Sequence, residues 1–270
     1  RKGDPIAPPG SRNSLTDVAC IQVGCAEYED AGTGVTVFVL DAPTICAVDV
    51  RGGGPGTRET DALEPHNLVQ SADAIVLAGG SVYGLAAAVG VAAALGAQGR
   101  GYQLVARAGV PPSPIVPAAI LYDLANGGDK AWGETPPYAR LGRQALANAG
   151  ALVRLGNTGA GFGAAAGALK GGQGSASIVS AEGVTIAALA CVNAFGSVLM
   201  PDSRVFWAWP FELENEFGGV RPDPAAPPSD PERWGAARID PGARESTTLA
   251  VIATDAELTR VEAKRVAQMA

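Results

Sequence analysis

Histidine is nearly absent from this sequence: His66 is the only one in 270 residues. The four cysteines are scattered, and none stands in a CxxC pair; they are Cys20, Cys25, Cys46 and Cys191. Zinc centres are normally built from several His and Cys ligands, and a Ser-His-Asp triad needs a histidine as its base. We therefore expect no metal site, and we interpret His66, which follows Pro65, as a surface or capping residue.

Charged residues are also few, at 17%, and the net charge is −7. Nucleic-acid binding needs a clustered Lys/Arg surface, and the sequence contains no such cluster. We expect no nucleic-acid partner and favour small neutral or cationic molecules. The composition, with 47% hydrophobic residues, is that of a globular chain and excludes an intrinsically disordered one.

Long apolar runs are missing as well. The longest, residues 81–97, is rich in Ala and Gly and is shorter than the roughly 20 residues that span a bilayer, so we interpret it as a buried helix and expect no membrane association. Four cysteines are too few for a disulfide scaffold. With no visible signal peptide, we expect a cytoplasmic protein; residue 1 is not Met, so a periplasmic location stays open.

The apolar pattern predicts an α/β chain. Helical periodicity predicts helices at 81–97 and 138–151. A capping box from Thr254 to Glu257 predicts a last helix with one apolar face made of Leu258, Val261, Val266 and Met269. Short β-branched runs predict strands at residues 19–23, 34–40, 45–50, 74–78, 176–179, 184–192, 205–209 and 247–252.

Two glycine-rich segments have alternative interpretations. Gly161-x-Gly163-x-x-Ala166, with Glu182 about 20 residues later, fits a variant of the dinucleotide-binding motif, but it lies in the middle of the chain. The segment Gly79-Gly80-Ser81-Val82-Tyr83-Gly84 resembles a nucleophile elbow in which Tyr83 replaces the second glycine. We favour tight packing turns for both segments.

The clearest chemical signal follows a proline-rich connection at residues 210–245, where five of the ten residues from 222 to 231 are proline. A hydroxyl residue that begins a strand after an exposed loop has the layout of a self-cleaving N-terminal nucleophile. Cleavage frees an α-amine whose pKa near 8 lets it serve as the base, so no histidine is needed. Taken alone, these residues are more typical of an ordinary strand start.

Separated segments along the chain carry a resemblance to a known family. They include Leu15-Thr16-Asp17-Val18, Ala78-Gly79-Gly80-Ser81, Leu121-Tyr122-Asp123-Leu124, Gly159-Ala160-Gly161, Leu169-Lys170-Gly171-Gly172, Val192-Asn193-Ala194-Phe195-Gly196 and Thr247-Thr248-Leu249. With these segments, residues 13–270 resemble the L-aminopeptidase/D-esterase and β-peptidyl aminopeptidase family of N-terminal-nucleophile hydrolases, which includes nylon-oligomer hydrolases.

The resemblance implies a single hydrolase domain with an αββα-type sandwich, in which two sheets are flanked by helices. Self-cleavage at Ser246–Thr247 would separate an α-chain-like part, residues 1–246, from the start of a β-chain-like part, residues 247–270. Family members often carry Asn or Gly where this chain has Ser246. Thr248 is the alternative nucleophile, but its side chain should face the opposite side of the strand.

The resemblance also implies roles for other residues. Asn193 matches a residue suited to stabilising an oxyanion, and Lys170 matches a lysine whose charge would lower the pKa of the new amine. Tyr122 matches a tyrosine that can hydrogen-bond the nucleophile or the substrate. Ordinary structural roles at a strand end or edge remain the alternatives for all three. The family's residues that orient the nucleophile are expected beyond residue 270.

The function implied is hydrolysis of amide or ester bonds through an acyl-enzyme on Thr247, without a cofactor. The expected substrates are short peptides with small N-terminal residues, D- or β-amino acid derivatives, or ω-amino acid oligomers. The expected assembly is a homo-oligomer, a tetramer of processed protomers. One alternative is an uncleaved, catalytically silent member that binds a ligand or supports an assembly; acetyl transfer, as in the ornithine acetyltransferases, is a more distant third.

Overall fold

The computed structural model of the chain describes residues 7–225 and 246–270. Within them lie ten β-strands and three α-helices, joined by loops and short 3-10 turns. The strands are β1 (Ile21–Tyr28), β2 (Thr33–Thr44), β3 (Thr57–Arg58), β4 (Ala72–Ala78), β5 (Ala118–Ile120), β6 (Ala165–Ala166), β7 (Leu169–Lys170), β8 (Gly172–Val179), β9 (Thr185–Asn193) and β10 (Thr247–Thr254). The helices are α1 (Ala86–Ala97), α2 (Tyr138–Ala147) and α3 (Arg260–Met269).

The larger sheet has the strand order β1-β2-β4-β5-β3. β1 and β2 form an antiparallel hairpin in which Tyr28 pairs with Thr33, and β4 runs parallel to β5. Residues 33–40 of β2 are all buried. A strand that is buried at every position has both faces covered, so this sheet lies in the middle of the fold.

Helices α1 and α2 cover one face of the larger sheet. Leu95 of α1 and Leu141 of α2 belong to one buried cluster with Val37 of β2. A glycine allows the two helices to approach closely: a Cβ built on Gly142 would lie 2.2 Å from the carbonyl oxygen of Ala87. No side chain fits in that space, so the helix pair requires glycine at this position.

The smaller sheet, of order β10-β9-β8, covers the other face. Leu189 of β9 and Ala253 of β10 pack in a second buried cluster with Phe38 and Leu77 of the larger sheet. The layers are therefore helices, larger sheet and smaller sheet. This arrangement confirms the expected α/β fold with two facing sheets.

Helix α3 lies against the connection that precedes β4. Arg260 donates hydrogen bonds to the carbonyl oxygens of Asn67 and Val69, at 2.8 and 2.7 Å. Lys264 forms an ion pair with Glu64, with 2.7 Å between Nζ and Oε1. These contacts hold the chain that follows β10 against the edge of the fold.

Two of the expected strands are wrong. Residues 45–50 have no regular structure, and Ile45 and Val50 are 47% and 42% exposed. Residues 205–209 make one isolated bridge, from Phe206 to Leu199, and then enter a 3-10 turn (Trp209–Phe211). Both segments have β-branched or aromatic residues, but within the described residues neither pairs with a strand to form a ladder.

The predicted position of the capping box of the last helix is also wrong. Thr254 still belongs to β10, and its Oγ1 donates to the carbonyl oxygen of Thr185 at 2.8 Å. The box forms instead at Thr259 and Glu262, where the Thr259 amide donates to Glu262 Oε2 at 2.8 Å. Leu258 therefore precedes the helix. The apolar residues of the expected face are exposed in α3: Val261, Val266 and Met269.

The expected exposed connection is described only in part. Residues 212–225 form turns without a helix or strand and are mostly exposed, and residues 226–245 lie outside the described residues. The apolar run at 81–97 consists of a 3-10 turn (Ser81–Leu85) and α1. In the two described ranges, no helix is long and apolar enough to cross a membrane.

The lone histidine lies where the sequence predicted, whereas only two of the four cysteines are buried. His66 is exposed. All four cysteines carry free thiols; Cys25 and Cys191 are buried in the core, and Cys20 is exposed. Burial raises the pKa of the Cys191 thiol to about 12, so this cysteine packs as a small apolar side chain.

Candidate active site

The register of the smaller sheet places the two most important predicted residues opposite each other. Thr247, the first residue of β10, pairs with Asn193, the last residue of β9. Directly opposed residues of an antiparallel pair have side chains on the same face, with Cα atoms about 4.5–5.5 Å apart. Asn193 is fully buried and Thr247 half-buried, whereas Thr248 is exposed on the other face. Thr247 therefore faces the space between the two sheets.

The side-chain amide of Asn193 is held at both ends. Its Oδ1 accepts hydrogen bonds from the Ala165 backbone amide at 2.9 Å and from Asn126 Nδ2 at 3.2 Å. Its Nδ2 donates to the carbonyl oxygen of Tyr122 at 2.9 Å. Strand β9 thus ends in a side chain that joins the loop after β5 to β6.

Tyr122 reaches the site through its backbone. It follows β5 directly, is half-buried, and presents its carbonyl oxygen to Asn193. The sequence predicted a role for the phenolic hydroxyl of Tyr122. The contact with Asn193 is made by the carbonyl, and this part of the site therefore depends on the path of the main chain after β5.

Lys170 is connected to Asn193 through Ala165. It stands on β7 opposite Ala165, whose amide donates to Asn193, and its side chain is exposed. The next residue must be glycine, because a Cβ on Gly171 would lie 2.2 Å from the carbonyl oxygen of Val192. Lys170 is thus linked through Ala165 to Asn193, the residue that pairs with Thr247.

Two polar residues of the site were missed by the sequence reasoning. Asn126 Nδ2 donates to Asn193 Oδ1 at 3.2 Å. Asp123 is fully buried and accepts hydrogen bonds from Thr33 Oγ1 and from the Gly80 amide, both at 2.7 Å. Burial raises the pKa of the Asp123 carboxyl above its ordinary value, although these hydrogen bonds oppose the shift. Their sequence signal is an Asp and an Asn shortly after the short apolar run that forms β5.

The glycine-rich segments form walls around Asp123. A Cβ on Gly79 would lie 2.0 Å from Asp123 Oδ2, and one on Gly163 would lie 2.5 Å from the same atom. The turn Gly159–Gly161 is buried and leads into the two-residue strand β6 instead of a helix. A dinucleotide motif requires a helix after its glycines, so the packing interpretation fits this segment and the dinucleotide interpretation does not.

A carboxylate of the larger sheet anchors the same turn. Glu27 on β1 accepts hydrogen bonds from Thr158 Oγ1 at 2.5 Å and from the Gly159 amide at 2.7 Å, and it pairs with Arg154 at 3.0 Å. Partial burial opposes ionisation, but these partners hold the pKa of Glu27 below its ordinary value. Across the described part of the chain, no three His, Cys, Asp or Glu side chains come together as metal ligands.

The sequence of the whole region matches one protein family. Residues 13–270 match the family described as peptidase family S58. The chain belongs to peptidase family S58. An S58 relative, named an uncharacterized aminopeptidase of Mycobacterium leprae (strain TN), is 42% identical over 272 residues, which cover 96% of this chain and 72% of the relative.

A second relative is named for a chemical activity. The 6-aminohexanoate-oligomer endohydrolase of Kocuria sp. (strain KY2) is 34% identical over 165 residues, covering 60% of this chain and 41% of that protein.

A third relative is named an uncharacterized aminopeptidase of Mycobacterium tuberculosis (strain ATCC 25618 / H37Rv). It is 43% identical over 267 residues, which cover 94% of this chain and 73% of that protein.

Solved structures show the same fold. A β-aminopeptidase of Burkholderia sp. has a TM-score of 0.67 at 24% identity and covers 98% of this chain and 68% of its own. The L-aminopeptidase D-Ala-esterase/amidase of Ochrobactrum anthropi, described as a variant of the Ntn hydrolase fold, has a TM-score of 0.66 at 21% identity, with 98% and 69% covered.

The resemblance to an aminopeptidase family is therefore confirmed, and the solved structures show that the fold is similar as well. This S58 protein is a hydrolase of the peptidase or amidase type. The individual roles of Thr247, Asn193, Lys170 and Tyr122 stay predictions, as does cleavage at Ser246–Thr247.

Proposed function

We propose that this S58 protein cleaves its own chain between Ser246 and Thr247 and then hydrolyses amide bonds with Thr247 as the nucleophile. The observation that carries the proposal is the β9–β10 register, which sets Thr247 opposite Asn193 on the inward face of the smaller sheet. Ser246 is exposed, so the bond that must break lies at the surface end of β10.

The proposed self-cleavage converts one peptide bond into two termini. Thr247 Oγ1 attacks the carbonyl carbon of Ser246, and the C–N bond between the two residues breaks to give an ester with a free Thr247 amine. Water then hydrolyses the ester, which leaves a carboxylate on Ser246 and restores the Thr247 hydroxyl. The cut would divide the protein into an α-chain-like part, residues 1–246, and a β-chain-like part that begins with residues 247–270.

The new α-amine would act as the base in turnover. Its unperturbed pKa is near 8, and a nearby cation such as Lys170 disfavours its protonated form and lowers that pKa. The neutral amine takes the proton of the Thr247 hydroxyl as Oγ1 attacks the substrate carbonyl. The protonated amine then gives this proton to the leaving amine, and water hydrolyses the acyl-enzyme by the same route in reverse.

The remaining side chains would stabilise charge and hold the substrate. Asn193, buried and fixed at the end of β9, is proposed to stabilise the oxyanion of the tetrahedral intermediate. The Tyr122 hydroxyl is proposed to hydrogen-bond the nucleophile or the substrate. No cofactor takes part in these steps.

The proposed substrates are short peptides with small N-terminal residues, D- or β-amino acid derivatives, or ω-amino acid oligomers. The relatives support this range, because they include proteins named aminopeptidase, β-aminopeptidase and 6-aminohexanoate-oligomer endohydrolase. A homo-oligomer of processed protomers is proposed with it.

Intact-mass analysis tests the self-cleavage. The wild-type protein should give two chains whose masses correspond to a cut before Thr247, and Thr247→Ala should remain one chain without amidase activity. Thr248→Ala is the matched control: it removes the neighbouring threonine from the outward face and should cleave and hydrolyse normally.

The same measurement distinguishes the proposed function from its alternative. A wild-type protein that stays intact and hydrolyses no peptide, D-amino acid amide, β-peptide or 6-aminohexanoate oligomer would refute the proposal. That result would favour an uncleaved member that binds a ligand or supports an assembly. Cleavage that persists in Thr247→Ala would assign the nucleophile to another residue.

A further inference from the structure

We propose that Asn126 is a positioning residue, which holds the amide of Asn193 in the orientation that oxyanion stabilisation requires. The inference rests on the proposed function for the role of Asn193. It concerns a residue that lies in the loop after β5 and carries none of the predicted catalytic roles.

The contacts around Asn193 distinguish the two ends of its amide. Two N–H donors, from Ala165 and Asn126, face Oδ1, and a carbonyl oxygen, from Tyr122, faces Nδ2. Rotating the amide by 180° would set its NH2 group against the two donors and its oxygen against the carbonyl. All three hydrogen bonds would be lost together, so these contacts select a single orientation.

Asn126 is the one side chain among these three contacts, because Ala165 and Tyr122 contribute backbone atoms. Its own orientation is fixed as well: Nδ2 also donates to the carbonyl oxygen of Gly163 at 2.9 Å. Its backbone amide donates to the carbonyl oxygen of Asp123 at 3.0 Å. Only the NH2 end of Asn126 can serve both Gly163 and Asn193, so Asn126 presents a donor to Asn193 Oδ1.

The orientation matters because the two ends of an amide have opposite effects on a developing negative charge. Nδ2 can donate a hydrogen bond to an oxyanion, whereas Oδ1 would repel it. A change at Asn126 should therefore weaken the transition state more than the ground state. Catalysis should fall through kcat while KM changes little.

The test replaces the donor without changing its size. In Asn126→Asp the ionised carboxylate cannot donate, repels Oδ1 and attracts the NH2 group of Asn193. We expect kcat for amide hydrolysis to fall by about tenfold or more at pH 8, since removing a direct oxyanion donor lowers kcat by about 10²–10³, with KM within about threefold.

The pH profile distinguishes orientation from a general disturbance of the loop. As the pH falls from 8 toward the ordinary pKa of an aspartic acid, near 4, a growing fraction of the carboxyl group in Asn126→Asp takes up a proton and can again donate to Asn193 Oδ1. The ratio of wild-type to variant kcat should therefore shrink toward acid pH. In Asn126→Ala, which removes both hydrogen bonds without adding a titratable group, the ratio should not change with pH.

Asn148→Asp is the matched control. Asn148 also donates an amide hydrogen bond to a carbonyl oxygen, that of Cys25 at 3.0 Å, but it lies just after α2. We expect its kcat and its pH profile to match those of the wild type. A loss in Asn148→Asp equal to that in Asn126→Asp would show that the effect is not specific and would overturn the proposal.

NMR of the Asn193 side-chain amide provides a measurement that does not depend on activity. With 15N-labelled asparagine, the side-chain NH2 protons of Asn193 should show cross-relaxation with Tyr122 in the wild type. In Asn126→Asp these signals should weaken, and new ones to position 126 should appear. If they are unchanged, Asn126 does not set the orientation, even where kcat falls. A wild-type protein that neither cleaves itself nor hydrolyses amides would instead refute the proposed function, while this spectrum still decides the role of Asn126.

Discussion

The contact between α1 and α2 makes a quantitative prediction about stability. Adding one methyl group at Gly142 would place it 2.2 Å from the carbonyl oxygen of Ala87, whereas ordinary van der Waals contact begins at 3.4 Å. The two helices would have to separate by about 1 Å at this point, because both partners are rigid backbone. A gap of that size removes a quarter to a half of the dispersion energy of the atoms that line it.

The magnitude follows from two opposing effects. Overpacking of this kind costs about 1–3 kcal/mol, and a clash with backbone belongs at the upper end of that range. Alanine has a higher helix propensity than glycine by about 1 kcal/mol. We therefore expect Gly142→Ala to lower the free energy of unfolding by about 2 kcal/mol and Tm by about 4–8 °C.

Gly96→Ala in α1 is the matched control. The nearest atom to its Cβ would be Pro114 Cγ at 3.6 Å, which is ordinary contact. This variant should gain up to about 0.5–1 kcal/mol from helix propensity alone. Urea denaturation followed by circular dichroism measures both variants, with equal m-values expected. The reasoning is refuted if Gly142→Ala is as stable as the wild type or more so.

Three further predictions concern side chains outside the nucleophile. Because burial raises the folded-state pKa of Asp123, the wild type should lose stability as the pH rises above about 3.8, and Asp123→Asn should lack this step in urea titrations across pH 3–7. Because its partners hold the pKa of Glu27 low, the stability it adds is complete above about 4.5 and is lost at lower pH; Glu27→Gln should flatten that acid loss. Arg260→Ala removes the hydrogen bonds from α3 to the connection before β4, so limited proteolysis should cut near α3 sooner than in the wild type, and an unchanged cleavage rate would contradict this anchoring role.

The sequence predicted the secondary structure of a segment when the strand that pairs with it is also adjacent to it along the chain. The runs that became β1 and β2 are joined by a short turn, and each finds its partner in the other. Residues 45–50 have a similar composition, but no strand in the described part of the chain pairs with them, and they have no regular structure. The true cap at Thr259 differs from the expected one at Thr254 because β10 extends to Thr254 through its pairing with β9.

By itself, the sequence determined the class of the protein, its α/β composition and the candidate nucleophile. These depend on residue types and on local order: a lone histidine, a strand that begins at Thr247 after a proline-rich connection, and segments shared with a family. The tertiary structure decided which residues meet. The β9–β10 register set Thr247 opposite Asn193, and the loop after β5 brought Asn126 to Asn193 and Asp123 to the turn at Gly80. Such contacts join residues more than forty positions apart, and their geometry depends on how whole sheets pack, which no local pattern in the sequence records.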